Sequence, residues 1–341
     1  MADVTIYTLA KELNMTPSMV SRAFNPDCKV SEEKRQKVLE AAKKYGFSPN
    51  RMASRLSMKK VKIGILINSR FKINTDKMLS GIEKAYKDLK DYKVDYRITV
   101  LNSLETKECD VKAVLEEYSC FDGVIVTGLS SVRYTEILHS FCEKNKNLVQ
   151  VQSINNSIPH LFASKHDEKK ASDMACEFLR KCLRKCGKNV VLFIGDNENS
   201  LHMSAASAFE ESCKINGLNL LETAETGDTP ETLLKAVKSV FEKHKGKIDG
   251  AYITSGISGE LCRYIEENGE DIVLVSFDTH SEIRKYLEKG IISATISQNV
   301  EKQMESAFEK LVKFIITGKK CDDVIYTDVH IALKSNICQF D

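Results

Sequence analysis

The sequence predicts an α/β protein: an all-α helix-turn-helix head, then a larger body of two lobes, each built on a parallel sheet. Three observations lead there. Through the first 47 residues apolar side chains recur at helical spacing. From residue 61 onward, short apolar runs alternate with amphipathic stretches, as strands alternate with crossover helices. The charge is also split: residues 1–60 hold twelve Lys and Arg against six Asp and Glu, and the remainder holds 38 against 42. A basic head on a mildly acidic body points to a polyanionic partner for the head, with a solvated basic surface as the alternative. At 341 residues the chain exceeds one ordinary core.

The first helix carries Ile6, Leu9, Ala10 and Leu13 on one face, with Thr5 as its cap. After a short break at Asn14-Met15, TPSMVSRAFN (16–25) opens a second helix. Thr16 suits the N-cap and Pro17 the first helical position, where a missing N–H leaves nothing unpaired. Val20, Ala23 and Phe24 share one face, with Ser18, Ser21 and Arg22 elsewhere around the helix. A third helix starts at the Ser31 cap of SEEKRQKVLEAAKKYG, with Val38, Leu39, Ala42 and Tyr45 turned inward and Gly46 at its end. Three short helices can share a small core.

In a helix-turn-helix the second helix enters the major groove. Pro17, Ser18 and Arg22 are then the base readers, since the guanidinium fork of Arg22 matches the two acceptors of guanine. Thr5, Tyr7, Ser21 and Asn25 suit phosphate oxygens, and Thr16 joins the DNA-facing set at the helix start. The next segment, SPNRMASRLSMKK (48–60), has one large central apolar residue, Leu56, among Arg51, Arg55, Lys59 and Lys60. By composition it reads equally as a plain linker or as a minor-groove element that folds on DNA.

VTIYTLAKELNMTPSMVSRAFN, VSEEKRQKVLEAAKKYGFSPNRMASRL and the strand that follows resemble the head and hinge of the lactose-repressor (LacI/GalR) family. The match is nearly gapless over about 65 residues and includes Val30-Ser31, Arg35, Asn50, Arg51, Ala53 and Leu56. The resemblance implies that 48–60 is a hinge helix contacting DNA through Asn50, Arg51, Ala53 and Arg55. It also implies that Leu56 of each chain in a dimer inserts into a central minor-groove step.

In the body, VKIGILI, VDYRITVL, FDGVIVTG, NLVQVQS, NVVLFIG, IDGAYITS and DIVLVSF read as strands. MLSGIEKAYKDL, DMACEFLRKCLRKC and ETLLKAVKSVFEKH read as helices. Two α/β lobes with a cleft between their strand ends accommodate this much alternation, and ligands bind at such ends. The body resembles the periplasmic sugar-binding fold that the same family uses as its effector domain. That resemblance implies three crossings between lobes, near 162, 292 and 325. The expected domains are a head at 1–47, a hinge at 48–60 and an effector and dimerisation domain at 61–341. Lobe 1 takes about 61–162 and 293–325, and lobe 2 takes 163–292 and 326–341.

Asp278 in VSFDTHSE matches the acidic residue that binds sugar hydroxyls in this fold, and a carboxylate suits a polyol because it accepts two such bonds. Gln298 and Asn299 in ATISQNV resemble the sugar-binding proteins. Gln152 stands where the family has an acidic residue, and Ser255-Gly256 where it has Asn-Asp. Ala205, in AASAF, replaces a common Arg, which leaves the ligand's identity open. The expected effector set is Gln152, Ser255, Asp278 and Gln298, with a small carbohydrate or derivative as ligand.

Nothing in the sequence calls for an enzyme, a cofactor or a metal. VKIGILINSRF lacks a GxGxxG, neither GxxxxGK[ST] nor HExxH occurs, and the seven His are scattered. Eleven Cys without a CxxC read as free thiols in a reducing cytoplasm; Cys176, Cys182 and Cys186, on one predicted helix, lack zinc spacing. The start MADVTIYTLA is not a signal peptide, and no apolar run reaches a membrane span of about 18 residues. The expectation is a cytoplasmic homodimeric regulator, most simply a repressor, on pseudo-palindromic double-stranded operator DNA, without a C-terminal coiled-coil tetramer. The alternative is a cytoplasmic sugar-binding protein with no enzymatic activity.

Overall fold

The computed structural model describes residues 5–24, 28, 30–45, 47, 60–90, 92–184, 187–196 and 200–340. The head contains α1 (Ile6–Glu12), α2 (Pro17–Ala23) and α3 (Glu32–Lys44). Thr5 caps α1 in a reciprocal box with Thr8. Thr16 caps α2, its hydroxyl accepting the Met19 N–H at 3.2 Å. Asn14 takes φ +50° in the break between them. Leu9, Ala10, Val20, Ala23, Val38, Ala41 and Ala42 form the buried core. Arg35 ties α3 to the end of α2, its guanidinium donating to the carbonyls of Ala23 and Cys28 at 2.9 Å each. Leu39, expected inside, is instead 41% exposed. Ala41 takes the inner position because α3 meets the other helices along the line of Val38, Ala41 and Ala42, one residue round from Leu39.

Lobe 1 of the body runs β1 (Val61–Asn68), α4 (Lys72–Asp88), β2 (Val94–Leu101), α5 (Glu108–Tyr118), β3 (Gly123–Thr127), α6 (Thr135–Lys144), β4 (Leu148–Val151) and β5 (Phe162–His166). Lobe 2 follows with α7 (Glu168–Cys182), β6 (Asn189–Ile194), α8 (Ser200–Asn216), β7 (Asn219–Glu225), α9 (Pro230–Lys243), β8 (Gly250–Ile253), α10 (Gly259–Asn268), β9 (Val273–Phe277), α11 (Ser281–Lys289) and β10 (Ala294–Ser297). The chain returns to lobe 1 for α12 (Val300–Thr317) and β11 (Val324–Thr327), then to lobe 2 for β12 (His330–Ala332). The sheet orders are β11-β5-β4-β3-β1-β2 and β12-β10-β9-β8-β6-β7. All pairings are parallel except β12 against β10.

The three crossings lie after β5, β10 and β11, a few residues later than the sequence spacing places them. Phe162–His166 first completes pairing in sheet one and Ala294–Ser297 in sheet two, so hydrogen bonding holds each strand in its own lobe before the chain leaves. The cysteines also part company. Cys176 is buried with its sulfur 3.7 Å from that of Cys213, whereas Cys182 is exposed.

Two packing features set the hinge region. Gly81 brings α4 against α12: a Cβ there would lie 2.2 Å from the Glu301 carbonyl oxygen. His166, the last residue of β5, is 2% exposed, its ring 5.3 Å from that of Phe277 in lobe 2, and its Nδ1 has no hydrogen-bond partner. Burial pulls its imidazole down to about 4, against the opposing pull of Asp278.

Both features are testable. Gly81→Ala should destabilise the body by about 1–3 kcal/mol through overpacking, although Ala is favoured in a helix by about 1 kcal/mol. Urea unfolding decides, and a stabilised variant would mean that α4 and α12 are free to separate. For His166 the unfolded chain takes up a proton near the ordinary pKa of 6.5 and the folded chain only near 4. Stability is therefore complete above the first value and declines as pH falls toward the second. Between pH 7 and pH 5 the loss should be about 2 kcal/mol. In His166→Phe that part of the slope should vanish; an unchanged slope would assign it to other groups.

Candidate DNA-reading face and effector cleft

On the head, the polar side chains expected to face DNA fall outside the core. Thr5, Tyr7, Thr16, Ser18, Ser21 and Arg22 are exposed and Pro17 is half-buried. Tyr7 is 72% exposed despite its aromatic ring. Arg22 makes no hydrogen bond or ion pair with the described residues, so its donors are available to a partner. Thr5 and Thr16 also serve the helices as caps. Asn25, Asn50, Arg51, Ala53, Arg55 and Leu56 lie outside the described residues.

The body's cleft is built from the C-terminal ends of parallel strands. Lobe 1 supplies Asn68 from β1, Arg70 just beyond it, Thr127 from β3 and Gln152 after β4. Lobe 2 supplies Asp196 after β6, Asp228 after β7, Ser255 after β8, Asp278 after β9 and Gln298 after β10. Five described non-glycine residues have positive φ, and four of them are Gln152, Asp228, Asp278 and Asn299, each just past a strand of the body. Such backbone strain gathers where side chains must be aimed at a site.

Asp278 and Gln298 come together: Gln298 Nε2 donates to Asp278 Oδ1 at 2.8 Å. Gln298 is 6% exposed, and its Oε1 has no partner. Ser255 sits beside them but is engaged elsewhere, its hydroxyl donating to Asp228 Oδ1 at 2.6 Å. Its neighbour Gly256 joins the two groups, for a Cβ there would lie 3.0 Å from Asp278 Oδ2. Gln152 belongs to the other lobe, where its Oε1 accepts the Thr127 hydroxyl at 3.1 Å. Asn299 caps α12 by accepting the Lys302 N–H, which is a structural task. A cavity of about 340 Å³ opens beside Asp278 and Gln298, bounded also by Asn74 and Lys77 of α4 and by Phe340.

Sequence reasoning missed four residues here. Asp228 is nearly buried and is the hub of a polar network. It accepts the Asp196 N–H at 3.1 Å and the Ser255 hydroxyl, and lies 3.4 Å from His202 Nε2. Burial raises its pKa, but His202, Ser255 and the Asp196 amide outweigh that and hold the carboxyl well below the usual range. Arg70 reaches Asp228 from lobe 1 at 3.8 Å. Asn68 keeps a buried, unpartnered Oδ1 at the end of β1. The strand-end rule could have found Asp228, which follows a strand and precedes a helix as Asp278 does. A second link between lobes is Lys77, whose ammonium donates to the Thr279 hydroxyl at 3.1 Å and the Phe340 carbonyl at 3.3 Å. Among the described residues no group of His, Cys, Asp and Glu is placed to hold a metal, and no helix is long and apolar enough to cross a membrane.

Comparison with known proteins agrees with this division. Residues 5–50 match the bacterial regulatory proteins of the lacI family, and residues 63–320 match the periplasmic binding protein domain. The chain is 26% identical over 263 residues to the HTH-type transcriptional regulator pepR1 of Lactobacillus delbrueckii subsp. lactis, covering 75% of this chain and 74% of that one. It is 26% identical over 252 residues to catabolite control protein A of Staphylococcus aureus, covering 73% of each. The fold resembles that of GanP, a glucose-galactose binding protein from Geobacillus stearothermophilus, with a TM-score of 0.72 at 18% identity over 82% of this chain and 99% of that one. The chain belongs to the lacI family of bacterial regulatory proteins, its DNA-binding head joined to a periplasmic binding protein domain.

Proposed function

We propose that this regulator is a cytoplasmic homodimer that represses transcription from a pseudo-palindromic operator and responds to a small carbohydrate in the body's cleft. It carries out no chemistry of its own. The observation that carries the reading is the exposed Arg22, without a partner among the described residues, on a capped helix whose opposite face is core. Pro17, Ser18 and Arg22 read bases, while Thr5, Tyr7, Thr16, Ser21 and Asn25 hold phosphates. Segment 48–60 is the hinge, with Leu56 as its minor-groove wedge and Asn50, Arg51, Ala53 and Arg55 around it. In the cleft, Asp278 and Gln298 hold sugar hydroxyls, and Gln152 and Ser255 stand at its edges. The name of GanP, a glucose-galactose binding protein, supports a sugar-linked role.

Two experiments test the halves separately. Arg22→Ala should cost about 1–3 kcal/mol at the operator and relax the preference at one base pair per half-site. Binding to a set of operator variants checks this; an equal loss on every variant would reduce Arg22 to a phosphate contact. Asp278→Ala should weaken effector binding by about 1.5–3 kcal/mol, the range for hydrogen bonds to a charged group. Operator affinity without effector should stay at the parent's value. Titration of both proteins with the sugar that shifts the parent's melting decides, and undiminished affinity would remove Asp278 from the site.

A further inference from the structure

We propose that Arg70 is a specificity-determining residue of the cleft, and that the cleft takes an uncharged polyhydroxylated ligand in preference to its phosphate ester. This rests on the reading of the body as a sugar-responsive domain.

Arg70 projects from lobe 1, its side chain 16% exposed and its guanidinium 4.8 Å from the centre of the Phe71 ring. The nearest carboxylate oxygen, Asp228 Oδ1, is at 3.8 Å, beyond hydrogen-bonding distance. Asp228 and Asp196 therefore balance the charge of Arg70 without filling its donors. Asp228 has no need of Arg70 for its own hydrogen bonds, because Ser255 and the Asp196 amide already supply them. What Arg70 lacks is a neutral acceptor.

The facing groups lack the reverse. Asp278 uses one oxygen for Gln298, and the buried Oε1 of Gln298 needs a donor. A hydroxyl both donates and accepts, so the hydroxyls of a polyol suit the chemistry of all three groups. A phosphate dianion only accepts, and it would enter beside Asp196, Asp228 and Asp278. The neighbouring cation, Lys77, is already bonded to Thr279 and Phe340. A ligand held by Arg70 and Asp278 spans both lobes.

Calorimetric titration of the full chain with D-glucose, D-galactose, D-ribose and D-arabinose, each beside its terminal phosphate ester, tests this. At least one free sugar should bind ten-fold or more tightly than its ester. Arg70→Ala should weaken that sugar at least ten-fold, Arg70→Lys less so. Asp228→Asn, which removes one of the two charges that balance the guanidinium, should narrow the sugar-to-ester ratio several-fold. A tighter ester, or a sugar bound equally well by an Arg70→Ala protein with the parent's melting temperature, overturns the inference and leaves the sugar-responsive reading standing. If Arg70→Ala melts early, Asp228→Asn decides, and an unchanged ratio overturns it. Failure of every sugar and every ester to bind the parent overturns both.

Discussion

Among the described residues, three chain crossings, after β5, β10 and β11, are the covalent links between the lobes, and every other contact across the cleft is conditional on the angle they set. The consequence follows from strand direction. Because the sheets are parallel, the strands of each lobe end on the same side, and their C-terminal loops converge on the cleft. The hinge thus decides whether Arg70 stands near Asp228 and whether Lys77 reaches Thr279. It is itself stiffened on the lobe 1 side. Gly81 allows α4 to lie on the start of α12, and Ser164 of β5 donates to the Gln303 carbonyl at 2.9 Å. A change of angle occurs where these packed elements end, which at the second crossing is where Gln298 and Asn299 lie.

The cleft's polarity has a physical logic of its own. Buried polar atoms need partners, and most here have one: Asp228 has several, Gln152 has Thr127, Asp278 has Gln298. Among the described residues the exceptions include Asn68 Oδ1 and His166 Nδ1 in lobe 1 and Gln298 Oε1 at the end of β10, and Arg70 makes no hydrogen bond with its nearest carboxylate. The left-handed backbone at Gln152, Asp228 and Asp278 costs energy in each case, and these residues hold side chains at strand ends that ordinary backbone would aim elsewhere. Strain and unmet hydrogen bonds together mark a site whose complement is a small polar molecule.

Much of this was legible in the sequence because it is periodic or local. The helices of the head follow from apolar spacing and from the caps at Thr5 and Thr16, and the strands of the body from apolar runs such as VKIGILI. The Asp278–Gln298 pair was within reach because both follow strands and resemble known sugar-binding positions. Leu39 was misread because apolar spacing admits two neighbouring faces of α3, and only packing chooses the one with Ala41. The meeting of Arg70 with Asp228 was invisible for a different reason. The two are distant in sequence and come together only because two lobes fold onto each other, and no period links them. The crossings came slightly early in the reading because strand ends are fixed by register with neighbours, which a single sequence does not print.

The proposed function requires that cleft occupancy and DNA binding be coupled, and that coupling must be equal in both directions. The most direct measurement takes an operator selected from random DNA and the free sugar that binds the full chain. Operator affinity is measured with and without saturating sugar, and sugar affinity with and without saturating operator. The account predicts that each ligand changes the other's dissociation constant by the same factor, about five-fold or more. Two affinities that ignore each other would contradict it.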